Sequence, residues 1–194
     1  LSGCSFKKPS AALQIKTIPD ANVLIDGKLL GKTPYQTSSL QGGELTIKLI
    51  PESDTQSLVS WEGKVKVGSG VLTLIEREFG SGEGDSSGQI LTLEKTKSKD
   101  ASLSVISDPD GTLVKLDGES KGFAPLVVDK ISEGDHEIVV SKDGFVEKIV
   151  NAKAIAGYKL IVNVKLAQSG LANVTPTPTL ATTSATTTTT PTPK

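Results

Sequence analysis

The feature that most restricts the fold of this chain is an internal repeat. One segment reads "ALQIKTIPDANVLIDGKLLGKTPYQTSSLQGGELTIKL", and a later one reads "ASLSVISDPDGTLVKLDGESKGFAPLVVDKISEGDHEIVV". In both, an alternating strand ends at Pro-Asp, a short apolar strand ends at Asp-Gly, and Gly and then Pro follow at the same spacing. The matched positions are Pro19 and Pro109, Asp26-Gly27 and Asp117-Gly118, Gly31 and Gly122, Pro34 and Pro125, and Gly43 and Gly134. Internal repetition with matched turns indicates one supersecondary plan folded twice.

The residue chemistry of each repeat predicts β-structure. Asp-Gly accepts the positive φ angles of a tight hairpin, and proline is excluded from central strands. Leu45, Ile47 and Leu49 alternate with polar residues, which buries one face of a strand, and the run from His136 to Val140 repeats this alternation. Many short strands without a helical period predict all-β sandwiches.

The repeats also predict the domain boundaries. We expect an N-terminal tether over residues 1–12, a first β-domain over 13–97 and a second over 101–167, joined through "KTKSKD". The first domain has two additional apolar segments, "VLTLIEREF" and "QILTLE", separated by a Gly/Ser loop, and we interpret them as an added hairpin. Residues 168–194 are expected to form a spacer.

Composition excludes several function classes. The net charge is −1 over 194 residues, so there is no basic excess that would hold nucleic acid. One histidine, one cysteine and no methionine leave little for metal or nucleophilic chemistry, so we expect no cofactor and no enzyme activity. No run of 18 apolar residues is present, which excludes a membrane-spanning helix within the sequence.

The stretch "DGKLLGKTP" superficially resembles a phosphate-binding loop. Such a loop needs four residues between its first glycine and Gly-Lys-Thr, but only three separate Gly27 from Gly31. Pro34 follows at once instead of a helix, and the second repeat has Phe123-Ala124 in place of Lys32-Thr33. The sequence therefore predicts a turn and a strand here, not a nucleotide site.

The first four residues, Leu1-Ser2-Gly3-Cys4, resemble a bacterial lipobox. The lipobox cysteine receives a diacylglyceryl group, so the resemblance implies that Cys4 is a lipidation site and that the protein is held at the extracytoplasmic face of a membrane. The alternative is a free cysteine near a chain end.

The segment from Thr175 to Lys194 contains eleven threonines and four prolines. Such a composition cannot bury a core, so we expect an extended, disordered spacer. A spacer role and simple disorder predict the same structure.

Isolated polar residues give no strong catalytic or metal-binding signal. His136 has no partner histidine or cysteine, so we expect it to be packed or at an edge rather than a metal ligand. Asp108, Asp110 and Asp117 lack the ligand spacing of a calcium loop and suit turn positions better.

The order of turns and strands resembles the PEGA domain. The residues that carry the resemblance are Pro19-Asp20-Ala21 and Pro109-Asp110-Gly111 at the first turn, then Asp117-Gly118, Gly122, Pro125, Gly134 and Gly144-Phe145. The first repeat lacks a clear Gly-aromatic step, and Trp61-Glu62-Gly63 is the candidate replacement. The resemblance implies small Greek-key-like β-sandwiches in envelope or surface proteins, with no established catalytic residues.

Two function classes remain open. The first is a non-catalytic, lipid-anchored envelope module that binds cell-wall or surface glycan, or displays a further domain. The second is an adaptor for other envelope proteins, or a pure spacer. A glycan site should bring aromatic side chains onto one surface, and the candidates are Trp61, Tyr35, Phe123 and Tyr158.

Overall fold

The structure is a computed structural model that describes residues 9–54 and 57–170. The expectations for Cys4 and for the Thr/Pro-rich segment from Thr175 lie outside the described residues. Within the described ranges every regular element is a β-strand, which confirms the all-β class. No helix there is long and apolar enough to cross a membrane.

Fifteen strands follow one another along the chain. Those of the first repeat are β1 (Ala11–Ile18), β2 (Ala21–Ile25), β3 (Lys28–Lys32), β4 (Tyr35–Leu40), β5 (Gly43–Pro51), β6 (Trp61–Val67), β7 (Leu72–Glu78) and β8 (Ser87–Lys95). Those of the second are β9 (Ala101–Asp108), β10 (Leu113–Leu116), β11 (Glu119–Phe123), β12 (Leu126–Ile131), β13 (Gly134–Ser141), β14 (Lys148–Ala154) and β15 (Tyr158–Lys165).

The strands form three sheets, one of which is shared by both repeats. The shared sheet has seven strands in the order β12-β9-β15-β8-β7-β1-β4. Each repeat adds a four-stranded sheet of its own, β3-β2-β5-β6 in the first and β11-β10-β13-β14 in the second. The two sandwiches are therefore not separate bodies joined by a flexible linker, because their larger sheets are continuous.

The two small sheets pack on opposite faces of the shared sheet. Ile75 lies opposite Ile90 and packs with the first core, whereas Leu74 lies opposite Leu91 and packs with the second. Successive side chains of a strand point to opposite faces, so this alternation separates the two cores. Each half of the shared sheet consequently has one covered face and one open face.

The Asp-Gly hairpins form as predicted in both repeats. Asp26 and Asp117 have φ angles of 50° and 51°, and the glycines that follow have 79° and 81°. Two consecutive positive φ angles define the tight turn whose twist suits a β-hairpin. The aspartate carboxylates also accept hydrogen bonds from the backbone N–H groups of Thr46 and Glu137.

The predicted added hairpin of the first repeat is β7 and β8, which pair antiparallel. Only β8 is additional, because β7 pairs with β1 in parallel as β15 pairs with β9. On its other side β8 pairs with β15 over eight residue pairs, and this pairing joins the repeats. Leu91 of β8 is buried in the core of the second repeat.

The Gly-aromatic step of the second repeat is matched in the first by Leu58, not by Trp61. The N–H of Val146, next to Phe145, donates to the carbonyl oxygen of Ala167. The N–H of Val59, next to Leu58, makes the same bond to Gly80. Leu58 and Phe145 each pack against the core of their own repeat, so the leucine takes the aromatic position and the proposed replacement is wrong.

Hydrogen bonding continues beyond the end of β15. The N–H of Gln168 donates to the carbonyl oxygen of Gly84, and the N–H of Ser169 donates to that of Gly144. These two residues, assigned to the spacer from the sequence, are thus attached to the β-structure of both repeats.

Candidate functional site

In the structure, the stretch that resembles a phosphate-binding loop forms a hairpin turn and strand β3. Gly31-Lys32 ends strand β3, and Thr33 is buried. Its hydroxyl oxygen lies 2.6 Å from that of Thr17 and accepts a hydrogen bond from the N–H of Ala21 at 2.8 Å. Lys32 pairs with Glu52 at 2.7 Å. Both residues have structural partners, and no helix follows.

The four aromatic candidates occupy four strands. Tyr35 is half-buried in β4, and Trp61, also half-buried, begins β6; both pack against the first core. Phe123 ends edge strand β11 and is 66% exposed. Tyr158 begins β15 and lines a groove other than the one lined by Trp61. Trp61 and Tyr158 thus line two different grooves, each with polar and apolar neighbours, and the structure does not bring the four aromatic candidates onto one surface.

Trp61 stands at one wall of a groove on the open face of the shared sheet, where the two repeats meet. We call it the junction groove, with a cavity volume of about 250 Å³. Its floor includes Ile90 of β8, Ile106 of β9 and Asn163 of β15, which lie side by side because the registers pair Asn163 with both isoleucines. Ile106 is 48% exposed despite its apolar side chain.

The Trp61 ring is held from two directions. The guanidinium carbon of Arg77 lies 5.2 Å from the ring centroid, within the range of a cation–π contact. Gly63 leaves the space that the ring occupies, since a Cβ at that position would lie 2.6 Å from the Cζ2 atom of Trp61. The ring is therefore positioned by its neighbours and is not a mobile surface group.

Arg77 is buried, and its Nε has no hydrogen-bond partner among the described residues. Burial lowers the pKa of Arg77, because desolvation disfavours the charged form, while Glu83 and Asp108 act in the opposite direction. The guanidinium group reaches Glu83 only at 3.6 Å. Its other charged-group contact is the cation–π contact with the Trp61 ring.

The rim of the groove is polar with balanced charge. Lys165 lies 2.7 Å from the carboxylate of Asp108, so these opposite charges compensate each other. The side-chain amide of Asn163 has no hydrogen-bond partner within the described ranges. It leaves both a donor and an acceptor available on the groove floor.

A second groove occupies the matched place on the opposite face of the shared sheet, beside edge strand β14. Its lining includes Lys16, Ile18, Glu76, Glu78 and Lys148. Lys16 and Glu76 form an ion pair at 3.6 Å, and Lys148 and Glu78 form another at 3.2 Å. We call it the counterpart groove. It is lined by paired charges, whereas the junction groove has Trp61, Ile106 and Asn163.

His136 is a packed residue, as the sequence predicts. It is buried in β13 and bonds to Asp117 and to the backbone of Ser132. In the part of the chain that the structure describes, no three His, Cys, Asp or Glu side chains form a group that could hold a metal ion.

The comparisons with known proteins agree with this architecture. The family model of the PEGA domain matches residues 10–53 and 101–169, which together are more than half of the chain. The chain belongs to the PEGA domain family. No match was found among curated proteins or among solved structures.

The two matched segments correspond to the two repeats, so this is a tandem PEGA protein. PEGA domains are generally non-catalytic and occur typically in extracellular or periplasmic proteins. The first match ends at residue 53, before β6, β7 and β8. These strands contribute Trp61, Arg77 and Ile90, so most of one side of the junction groove lies outside the matched segments.

Proposed function

We propose that this protein is a non-catalytic, lipid-anchored module of the extracytoplasmic cell surface, which binds at that surface and displays what is attached on its C-terminal side. The observation that carries the proposal is the direction in which the first and the last strand of the chain run within the shared sheet. Strands β1, β7, β15 and β9 all run in parallel, since β7 and β15 are both antiparallel to β8. The chain consequently enters at one end of the sheet and leaves at the other.

The dimensions of the sheet suit a spacing role. A strand of eight residues, such as β1 or β15, spans about 26 Å at about 3.3 Å per residue. The β8–β15 pairing and the extension of the second core onto Leu91 connect the repeats through backbone hydrogen bonds and apolar contact. We therefore expect the two repeats to move as one body.

The anchor in this proposal is Cys4. Only the residues from Ser5 to Ser10 separate it from β1, which limits the tether to roughly 20 Å at about 3.5 Å per residue. A cysteine that carries several acyl chains would hold the module firmly at a membrane surface.

Metabolic labelling tests the anchor. The chain is expressed behind a bacterial lipoprotein signal sequence, with an alkyne analogue of palmitate in the medium. The wild-type protein is expected to take up the label and to partition into detergent, and Cys4→Ser to lose both properties. An unlabelled wild-type protein would refute lipid anchoring.

Pulsed electron paramagnetic resonance tests the spacing. Spin labels at Ser10→Cys and Ser169→Cys, in the Cys4→Ser background, are expected to give one narrow distance distribution at about 30–40 Å. A broad or bimodal distribution would show that the repeats move independently and would exclude a fixed spacer.

An adaptor function is the second candidate, and the exposure of Phe123 favours it. Edge strands offer unpaired backbone groups to an incoming strand, and a large apolar side chain beside such an edge adds contact area. A photo-crosslinking residue at position 123 should then give one discrete adduct with an envelope protein, whereas the same residue at Leu29 of edge strand β3, which is 60% exposed, should not.

A further inference from the structure

We propose that the junction groove binds a neutral sugar unit of a surface glycan. This inference rests on the proposed surface role for the class of ligand, but its test is separate. The anchoring experiments report on Cys4, whereas the groove experiment reports on Trp61, so either proposal can fail while the other holds.

The first argument is that the junction groove differs from its counterpart in residues that the fold does not require. Asn163 and Ile106 are neighbours on the parallel strands β15 and β9. The matched neighbours on β7 and β1 are Glu76 and Lys16, which form an ion pair. The same backbone arrangement therefore accepts a charge pair in the counterpart groove but has an exposed isoleucine and an unpaired amide here.

The edge strands beside the two grooves differ in the same way, because the junction groove has an aromatic residue where the counterpart groove has a charged one. Trp61 begins β6 and lies opposite Leu49. Lys148 begins β14 and lies opposite Val140 in the matched way. The lysine pairs with Glu78, as expected for a solvated edge. Trp61 instead contacts the guanidinium group of Arg77, and its ring occupies space that Gly63 leaves free.

The chemistry of the groove suits a sugar ring better than a charged ligand. The two cations of the groove, Lys165 and Arg77, each have a carboxylate within 4 Å, Asp108 at 2.7 Å and Glu83 at 3.6 Å, so a charged ligand would have to compete with an existing ion pair. Sugar hydroxyl groups both donate and accept, and the Asn163 amide offers both functions. The C–H groups of a pyranose ring can cover the exposed surface of Ile106 and Ile90, which removes apolar area from water.

The buried wall of the groove provides a second, independent observation. Arg77 is more than nine-tenths buried in this wall, with its Nε unpartnered among the described residues. Leaving a buried donor unpaired is costly, so its presence in this wall calls for a reason other than packing. The groove is also open and shallow, which suits one unit of a longer chain rather than an enclosed small molecule.

Tryptophan fluorescence tests this proposal directly, because Trp61 is the only tryptophan in the sequence. The full 194-residue chain is titrated with cellotetraose, chitotetraose and maltotetraose, and with tetragalacturonate as a charged control. At least one neutral tetrasaccharide is expected to shift or quench the emission saturably, and tetragalacturonate is not.

The matched variant is the double substitution Ile106→Lys with Asn163→Glu, which installs the ion pair of the counterpart groove. Because that pair already occurs at the matched backbone positions, the variant is expected to unfold at the wild-type temperature but to bind at least ten-fold more weakly. The control Glu78→Asn with Lys148→Ile removes the other ion pair of the counterpart groove, and neither residue lines the junction groove, so binding should be unchanged. The proposal is overturned if no neutral tetrasaccharide binds, if the charged one binds equally, or if the Ile106→Lys/Asn163→Glu variant retains full affinity.

Discussion

The Nδ1 atom of His136 lies 2.6 Å from Oδ2 of Asp117, and its Nε2 lies 2.9 Å from the carbonyl oxygen of Ser132. Both partners are acceptors, so the imidazole satisfies both contacts only when it is protonated. Burial lowers the pKa of His136, but the hydrogen bonds to Ser132 and Asp117 outweigh burial and raise it above its ordinary value. These contacts connect the β10–β11 turn with the end of β12, and they favour the protonated form of the buried histidine.

This geometry predicts that stability decreases as pH rises. A folded-state pKa above the unfolded value gives a stabilisation that is complete below the ordinary histidine pKa and is lost as pH rises through the folded value. Urea denaturation from about pH 5.5 to about pH 9 should show this loss in the wild-type protein. The test variant is His136→Leu, because Leu45 occupies the matched position in the first repeat. The stability of this variant should not decrease over the same pH range. An equal slope in both proteins would contradict the prediction.

The hydroxyl groups at the start of each repeat predict a compensating pair of substitutions. In the first repeat Thr33 bonds to Thr17 and to the N–H of Ala21. In the second repeat the two residue types are exchanged: Ala124 stands at the position of Thr33, and Thr112 stands at the position of Ala21. The Thr112 hydroxyl donates a hydrogen bond to the hydroxyl oxygen of Ser107 at 2.8 Å. Thr33→Ala should therefore destabilise the protein by about 1–2 kcal/mol.

Adding Ala21→Thr to Thr33→Ala reproduces the arrangement of the second repeat. We expect the double variant to recover at least half of the loss, which urea denaturation of the four proteins of the cycle would measure. Additive losses would mean that the exchange between the repeats is coincidental.

Two substitutions of Arg77 should differ in their effect on the free energy of unfolding. Arg77→Met keeps the long apolar stem against Trp61 and removes a poorly paired buried charge, so stability should stay within about 1 kcal/mol of wild type. Arg77→Ala removes the stem as well and should cost about 1–3 kcal/mol. Thermal unfolding followed by Trp61 emission measures both, and equal losses would show that the charge, not the packing, is what stabilises this wall.

Leu91 predicts coupling between the repeats. It belongs to the strand that is additional to the first repeat, but its side chain is buried in the core of the second. Leu91→Ala should cost about 2–4 kcal/mol and should increase amide hydrogen exchange in β9 and β15. Ile50→Ala, at a partly exposed position of β5, is the matched surface control. Faster exchange confined to β1–β7 would contradict the shared core.

The sequence predicted the local elements because their causes are local. The Asp26-Gly27 and Asp117-Gly118 turns follow from positive φ, and the buried alternation of Ile47 and Leu49 follows from the two-residue period of a strand. The rejection of a nucleotide site at Lys32-Thr33 needed only spacing and the comparison of the two repeats. The PEGA resemblance was confirmed by the family match over both segments.

The candidate site was only partly accessible from the sequence. Trp61 was among the four aromatic residues, but Arg77, Ile106 and Asn163 were not singled out. Their strands lie far apart along the chain, and alternation in β7 gives no sign that one polar residue will be buried against a ring. Arg77 within the apolar run "VLTLIEREF" was the one available signal, because an inward charge in an alternating strand needs a partner.

The sequence by itself therefore determined the strands, the tight turns and the twofold repetition, since each depends on residues within a few positions of one another. Only the tertiary structure decided that β8 joins both repeats, that the small sheets cover opposite faces, and that one open face becomes the junction groove. Strand pairing is made by backbone groups that are the same in every residue. The choice of partner consequently depends on how distant faces pack, which no local pattern records.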